Sequence, residues 1–177
     1  MIFVWSDTHF NHKGIITYCK RPYANIDEMN AALIDMWNHV VGPTDDVYHL
    51  GDFAFRGGWP LKEIYCQLNG NKHLIRGNHD YQNDKVLKLP WKSQHDLLKL
   101  RHEEKRYVLC HYPLETWEGA HRGYLHLHGH SHGTLKRVAP HRFDVGADVW
   151  EYPVSLECID RIAAEQAYEA TDHHGDL

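Results

Sequence analysis

The chain opens with an unbroken apolar run, IFVW (residues 2–5), that ends at once in Ser6 and Asp7. A short continuous apolar run bounded by polar residues predicts a strand buried on both faces, as in a parallel sheet. From Asp27, a candidate N-cap, Met29, Leu33, Met36, Trp37 and Val40 recur at helical spacing until GPTDD (42–46) stops the pattern. VYHLGD (47–52) reads as a second strand, again finishing on an aspartate. A second helix is expected from about Pro60 to Leu68, closed by NGN, and is followed by a strand in KHLIRGNHD (72–80). Strands alternating with helices imply right-handed crossovers and a mostly parallel sheet, whose ligands bind beyond the carboxyl ends of the strands. Asp7, Asp52 and Asn78 fall at those ends.

The pattern changes after residue 94. HDLLKLRHE and KRYVLCHYP predict two strands of a hairpin, with His111 at the end of the second. GYLHLHGHSH (123–132) reads as a strand running into a loop. Its alternation puts His126 and His128 on one face and Leu125 and Leu127 on the other. TLKRVAP (134–140) and HRFDVGAD (141–148) are expected as further short strands, and SLECIDRIAAEQ as a last amphipathic helix. The length of 177 residues suits one domain, here 1–170, with a polar tail at 171–177.

Composition narrows the class. A hydrophobic fraction of 42% supports a substantial core and argues against disorder. The apolar start is too short for a signal segment, and no later run reaches the roughly 18 apolar residues of a spanning helix, so a cytoplasmic location is expected. Four scattered cysteines with no CxxC pair fit neither a disulfide scaffold nor a zinc knuckle, and reduced, mostly buried thiols are expected. A formal charge of −5 offers no broad basic surface for long nucleic acid. Histidine is the outlier at 17 residues, although His173 and His174 belong to the polar tail.

Collected at the strand ends are Asp7 and His9 in SDTHF, Asp52 in HLGDF, Asn78 and His79 in RGNHD, His111 in LCHYP, and His130 and His132 in GHSH. Mixed carboxylate and imidazole donors suit first-row divalent metals such as Mn, Fe, Co, Ni or Zn. The set exceeds the needs of one tetrahedral zinc, whereas two metals sharing a carboxylate would use it. The bland reading of these residues is capping and turn bonding at strand ends. It is disfavoured because buried carboxylates are costly and no lysine or arginine lies inside the motifs to pair with them. His126 and His128 are read as wall or supporting residues rather than ligands, and Cys110 as packing.

The ordered set DTH, GD, GNHD, a lone His and GHSH resembles the calcineurin-like metallophosphoesterase family, from about Phe3 to Ser155. SDTHFNHKGII, YHLGDFAF and VGADVWEYPVSL look like a small prokaryotic and phage branch of it. The resemblance implies a four-layer α/β/β/α sandwich and two divalent ions, Mn first among the candidates. Asp7, His9 and His132 would bind one ion, Asn78, His111 and His130 the other, and Asp52 would bridge them. It further implies hydrolysis of phosphate esters, phosphodiesters of small or nucleotide-like substrates being favoured, by a metal-bridging hydroxide. His79 would donate toward the leaving oxygen, with Asn78 beside it at the substrate.

The sequence departs from the family pattern at Phe55, where a second aspartate is expected to orient the histidine of GNH. Asp80 or a backbone carbonyl is the candidate replacement. Arg56 and Arg76 match a phosphatase-like version of the motifs, which makes Arg56 a candidate phosphate clamp. The rival readings are a nuclease, which would call for a basic surface or an added domain, a non-catalytic scaffold that keeps the fold, and a closed structural metal site.

Overall fold

The computed structural model describes residues 1–137 and 139–168. The expected polar tail, with His173 and His174, lies outside the described residues. Two sheets face each other. The first has the order β4-β3-β2-β1-β9 and the second β5-β6-β7-β8. In the first, β1 (Ile2–Trp5), β2 (Asp46–His49), β3 (Asn71–Ile75) and β4 (Gln94–His95) run parallel, and β9 (Val154–Ser155) is an antiparallel edge. In the second, β5 (Leu97–His102) and β6 (Lys105–Cys110) form the expected antiparallel hairpin. There β7 (Leu125–His128) and β8 (Arg142–Asp144) continue in parallel.

The alternation along each strand explains the layering. Phe3 and Trp5 of β1, Val47 of β2 and Leu74 of β3 point into a core shared with the long helix α2 (Ile26–Val40), through Met29, Leu33, Ile34 and Trp37. Asn25, not Asp27, caps α2, its side chain accepting the Glu28 amide at 2.9 Å. Asp27 falls in the first turn, where an anion suits the helix dipole. The opposite face sends Val4, Leu50 and Ile75 against Tyr107, Leu109, Leu125 and Leu127, so a second core lies between the sheets. The final helix, α6 (Leu156–Ala164), adds Leu156, Ile159 and Ala163 to it. The outermost layer over the second sheet is thin: Trp117 and Ala120 of the loop after β6, with a 3-10 turn at Ala120–Arg122, cover Val108. The architecture is thus the four-layer α/β/β/α sandwich.

Short elements escaped the periodicity argument. These are α1 (Lys13–Tyr18), α4 (Asn78–Tyr81) and α5 (Asp84–Leu87), none longer than six residues, whereas α3 (Leu61–Gln67) falls where a helix was expected. The GNHD segment therefore leaves β3 at Ile75 and turns into a helix rather than extending the strand. TLKRVAP is not a strand among its described residues: Thr134 instead closes a turn on the Ser131 carbonyl, and Arg137 reaches Glu115 across the surface. All four cysteines are free, but only Cys110 is buried; Cys66 is exposed, because it lies on the solvent side of α3. No helix among the described residues is long and apolar enough to cross a membrane.

Leu109 is fully buried between the sheets. Leu109→Ala is expected to lower unfolding free energy by about 2–5 kcal/mol through lost burial and a residual cavity, measured by urea denaturation.

Candidate metal centre

The carboxyl ends of the two sheets meet at a backbone seam. The Ser6 amide donates to the Val145 carbonyl and Ala147 donates back to Ser6, so the exit of β1 pairs with the segment after β8. The Asp7 amide reaches the Gly51 carbonyl, the His9 amide the Asp52 carbonyl, and the Gly129 amide the His111 carbonyl. Loops from both sheets are stitched edge to edge, and their side chains crowd one spot.

The backbone there is unusual. Asp7, His9, Asn11, Asp52, His130 and His132 all have positive φ, between 46° and 68°. Residues with a Cβ avoid this left-handed region, and its clustering at one place marks strain imposed by the surroundings. Glycines supply close approach. A Cβ on Gly77 would sit 2.6 Å from the Asp52 amide nitrogen, and one on Gly129 would collide with the side chains of Ser6 and Asp7. The GN and GH pairs are thereby explained by space.

Asp7, His9 and His132 bring ligand atoms within 4.8 Å of one another, and so do Asp7, Asp52 and His111. His9 Nε2 lies 3.9 Å from Asp7 Oδ1 and 3.6 Å from Asp52 Oδ2, and His111 Nε2 is also 3.6 Å from Asp52 Oδ2. Asp52 thus stands between the two histidines. Asn78 Oδ1 is 3.2 Å from His111 Nε2. His130 is exposed at the rim, its ring edge-on to His111 at 5.1 Å, and it belongs to neither three-residue group. His132 packs face to face with His9 at 5.3 Å.

Hydrogen bonding aims the donors. His111 Nδ1 donates to the Leu50 carbonyl at 2.8 Å, which leaves Nε2 as the lone-pair nitrogen facing Asp52. His132 Nδ1 meets Asp148 at 2.7 Å and turns Nε2 toward Asp7. Asp7 Oδ2 accepts from the Ser6 hydroxyl and the His130 amide, whereas Asp7 Oδ1 and both nitrogens of His9 are buried without a hydrogen-bond partner. Burial pushes the Asp7 carboxyl up to about 7 and holds His9 well below the usual imidazole range. Orphaned lone pairs on a carboxylate and a neutral imidazole, turned toward each other inside a dry cluster, fit a divalent cation.

Arg21 and Asp148 were missed from sequence. Arg21 makes two bonds to Asp148, at 2.8 and 2.7 Å, and donates to the carbonyls of Asp7 and Thr8. An arginine does therefore reach the motifs, but it grips their backbone, not the Asp7 carboxylate. Burial opposes charge on both His132 and Asp148. At His132 the bond to Asp148 and the charges of Asp7 and Asp148 together outweigh it and raise the imidazole, and at Asp148 the bonds to His132 and Arg21 together outweigh it and lower the carboxyl. The clue in the sequence was VGAD, another apolar run ending in aspartate, like FVWSD and HLGD.

Asp80 does not take over from the aspartate expected at position 55. Its carboxylate is buried and accepts the amides of Asp52, Phe53 and Gly77 at 2.8–3.0 Å, locking the GD turn to the GNHD turn. No backbone carbonyl replaces it either: His79 Nδ1 is buried with no partner. The His79 amide donates to Asp52 at 3.0 Å, and its ring lies among His9 at 5.4 Å and Phe55 at 5.8 Å. Phe55 in turn stacks on His12 at 4.2 Å. Arg56 is exposed, donates to the Gln82 carbonyl, and lines with His79 a recess of about 210 Å³.

The remaining histidines of HLHGHSH are support. His126 Nδ1 donates to the Val108 carbonyl and Nε2 accepts the Leu114 amide, while His128 Nδ1 donates to the Gly129 carbonyl. Burial brings both down to about 4, so they are neutral struts. His49, equally buried and held near 3 by burial, bonds to Thr8.

The carboxyl ends of the two sheets of this four-layer sandwich thus gather an Asp/His cluster at their seam. No family model matches the chain. It is 35% identical over 170 residues to the uncharacterized protein MJ1445 of Methanocaldococcus jannaschii, covering 91% of this chain and 90% of that protein, and it belongs to the same family. The Gene 66 protein of Mycobacterium phage D29 is 27% identical over 191 residues, covering 87% of this chain and 92% of the phage protein. The crystal structure of AQ665, a protein of unknown function from Aquifex aeolicus, superposes with a TM-score of 0.74 at 26% identity, covering 92% of this chain and 98% of that one. Structures of an archaeal phosphodiesterase, of Yfce, a phosphoesterase from E. coli, and of an uncharacterized protein from Streptococcus pneumoniae overlap more loosely, at TM-scores of 0.42–0.48 and 16–19% identity.

Asp148→Asn keeps the side-chain shape but weakens the grip on His132. Affinity for Mn, read by calorimetry, is expected to fall about 10–100-fold while the circular dichroism spectrum is retained.

Proposed function

We propose that the chain is a dimetal phosphoesterase that hydrolyses phosphodiesters of small or nucleotide-like molecules. One observation carries the reading: Asp52 lies between two histidine-bearing groups, within 3.6 Å of both His9 and His111, beside the unpartnered Asp7 Oδ1. Asp7, His9 and His132 would hold one ion and Asn78, His111 and His130 the other, with Asp52 shared. Such a pair, Mn being the first candidate, supplies Lewis acidity and an activated water.

The chain's own groups supply the rest. Asp7 and Asp52 bring carboxyl oxygens to a site where burial disfavours protonation of His9 and His111, a donor set that suits cations. The Leu50 carbonyl and Asp148 hold His111 and His132 in the orientation that leaves Nε2 for the site. His79, partly exposed and lining the recess, would donate a hydrogen bond or a proton toward the departing oxygen. Arg56 stands at the mouth of the same recess as the candidate phosphate contact. The retained cluster weighs against a non-catalytic scaffold, and the open recess against a closed structural metal site.

An aryl phosphodiester assay with added Mn tests this. Hydrolysis is expected to disappear after EDTA treatment and dialysis and to return with Mn, and to fall on the order of a hundredfold or more in Asp52→Asn and His111→Ala. Full activity in the stripped protein would sink the proposal.

A further inference from the structure

The protein is acidic overall, with 24 acidic and 19 basic residues, yet the surface leaving the site is not. The recess beside His79 shares Phe55, Arg56 and Asn83 with a second depression, which shares Pro60, Leu61 and Lys85 with a third. The three, of about 210, 300 and 610 Å³, form one trough. Arg56, Lys62, Lys85 and Lys88 line it, and none of the described residues lining it is acidic. Two carboxylates border it: Asp27 is occupied by the Trp59 indole at 2.6 Å, and Asp84 touches Lys88 only at 4.0 Å with both side chains mostly exposed, a contact of little strength.

Aromatic rings are interleaved with these cations. Phe55 is backed by His12 and is 37% exposed at the head of the trough. Trp59 lies farther along, its ring pinned by a bond from Nε1 to Asp27. A row of cations with aromatic faces between them is the surface that takes an unpaired nucleic-acid strand, since phosphates follow the charges and bases stack on the rings. A duplex keeps its bases inside and gains nothing from Phe55 or Trp59.

We infer that the trough holds the portion of a short single-stranded oligonucleotide beyond the scissile phosphate. The substrate class is then a phosphodiester with at least one further phosphate and base on the leaving side. The inference rests on the phosphoesterase reading for its direction, but the trough can be tested without turnover.

The test compares a dinucleoside monophosphate, a single-stranded tetranucleotide, the matching duplex and an aryl diester with Mn-loaded protein at low salt. The tetranucleotide is expected to exceed the dinucleoside monophosphate in kcat/KM by about tenfold, with the advantage fading as salt rises. The triple variant Lys62→Ala, Lys85→Ala, Lys88→Ala should lose at least about five times more kcat/KM on the tetranucleotide than on the aryl diester. Equal rates for the two nucleotide lengths, equal losses in the variant, or equal use of duplex would overturn the assignment. If no ester is cleaved, the phosphoesterase reading fails and anisotropy of a labelled tetranucleotide still decides the trough. There the triple variant should flatten the slope of log affinity against log salt by about 2. An unchanged slope, absent binding, or displacement by tripolyphosphate as readily as by unlabelled tetranucleotide would sink it.

Discussion

The structure turns on a carboxylate placed where water cannot reach it. Asp7 lies just past a buried strand, has no exposed surface, and among the described residues finds no hydrogen-bond partner for its Oδ1. Burying an unpaired charge costs several kcal/mol, so such a group is either neutralised or matched by a bound ion. Much of the local architecture keeps this carboxylate in place. Ser6 and the His130 amide fix one oxygen, and Arg21 holds the Asp7 backbone from behind. The other oxygen is left facing imidazoles.

That arrangement explains why the backbone is strained where it is. To present Asp7, His9, Asp52, His130 and His132 to one small volume, the chain adopts left-handed conformations at each of them, and the sheet seam over-determines the geometry. Asp80 contributes by gathering three amides from two turns, which fixes the Asp52 loop against the start of the Asn78 helix. The same sheet-to-sheet packing that buries Leu109 and Leu127 also sets the separation of His111 from Asp7. Stability of the second core and geometry of the site are therefore one property.

Sequence pattern made the strand ends legible, because an apolar run closing on Asp or His marks both a buried strand and the edge where ligands gather. Asp7, His9, Asp52, His111 and His132 were visible for that reason, whereas His126 and His128, which share the parity of His130 and His132, were set apart from the candidate ligands by the resemblance of GHSH to the family motif. Arg21 and Asp148 were not visible: they meet across 127 positions, and Arg21 follows a six-residue helix too short to show a period. Asp80 was legible as a residue but not in its role, since nothing in GNHD says that its carboxylate turns back onto amides. The basic trough was hidden for a related reason. Net charge averages over the whole surface, whereas Lys62, Lys85 and Lys88 are gathered because α3 and α5 bury Leu61, Ile64 and Val86 in the same core.

Phe55 links the site to that trough. Where the family resemblance expects a carboxylate behind the GNH histidine, this chain has an aromatic ring that leaves His79 Nδ1 without an acceptor. Packing against His9 and Phe55, and the bond from its amide to Asp52, hold His79 instead. A carboxylate at this position would put negative charge at the entrance of a channel lined by Arg56 and lysines, and would repel an anionic chain lying in it. The aromatic ring avoids that repulsion and offers a stacking face, so one substitution alters how His79 is supported and what the adjoining surface admits.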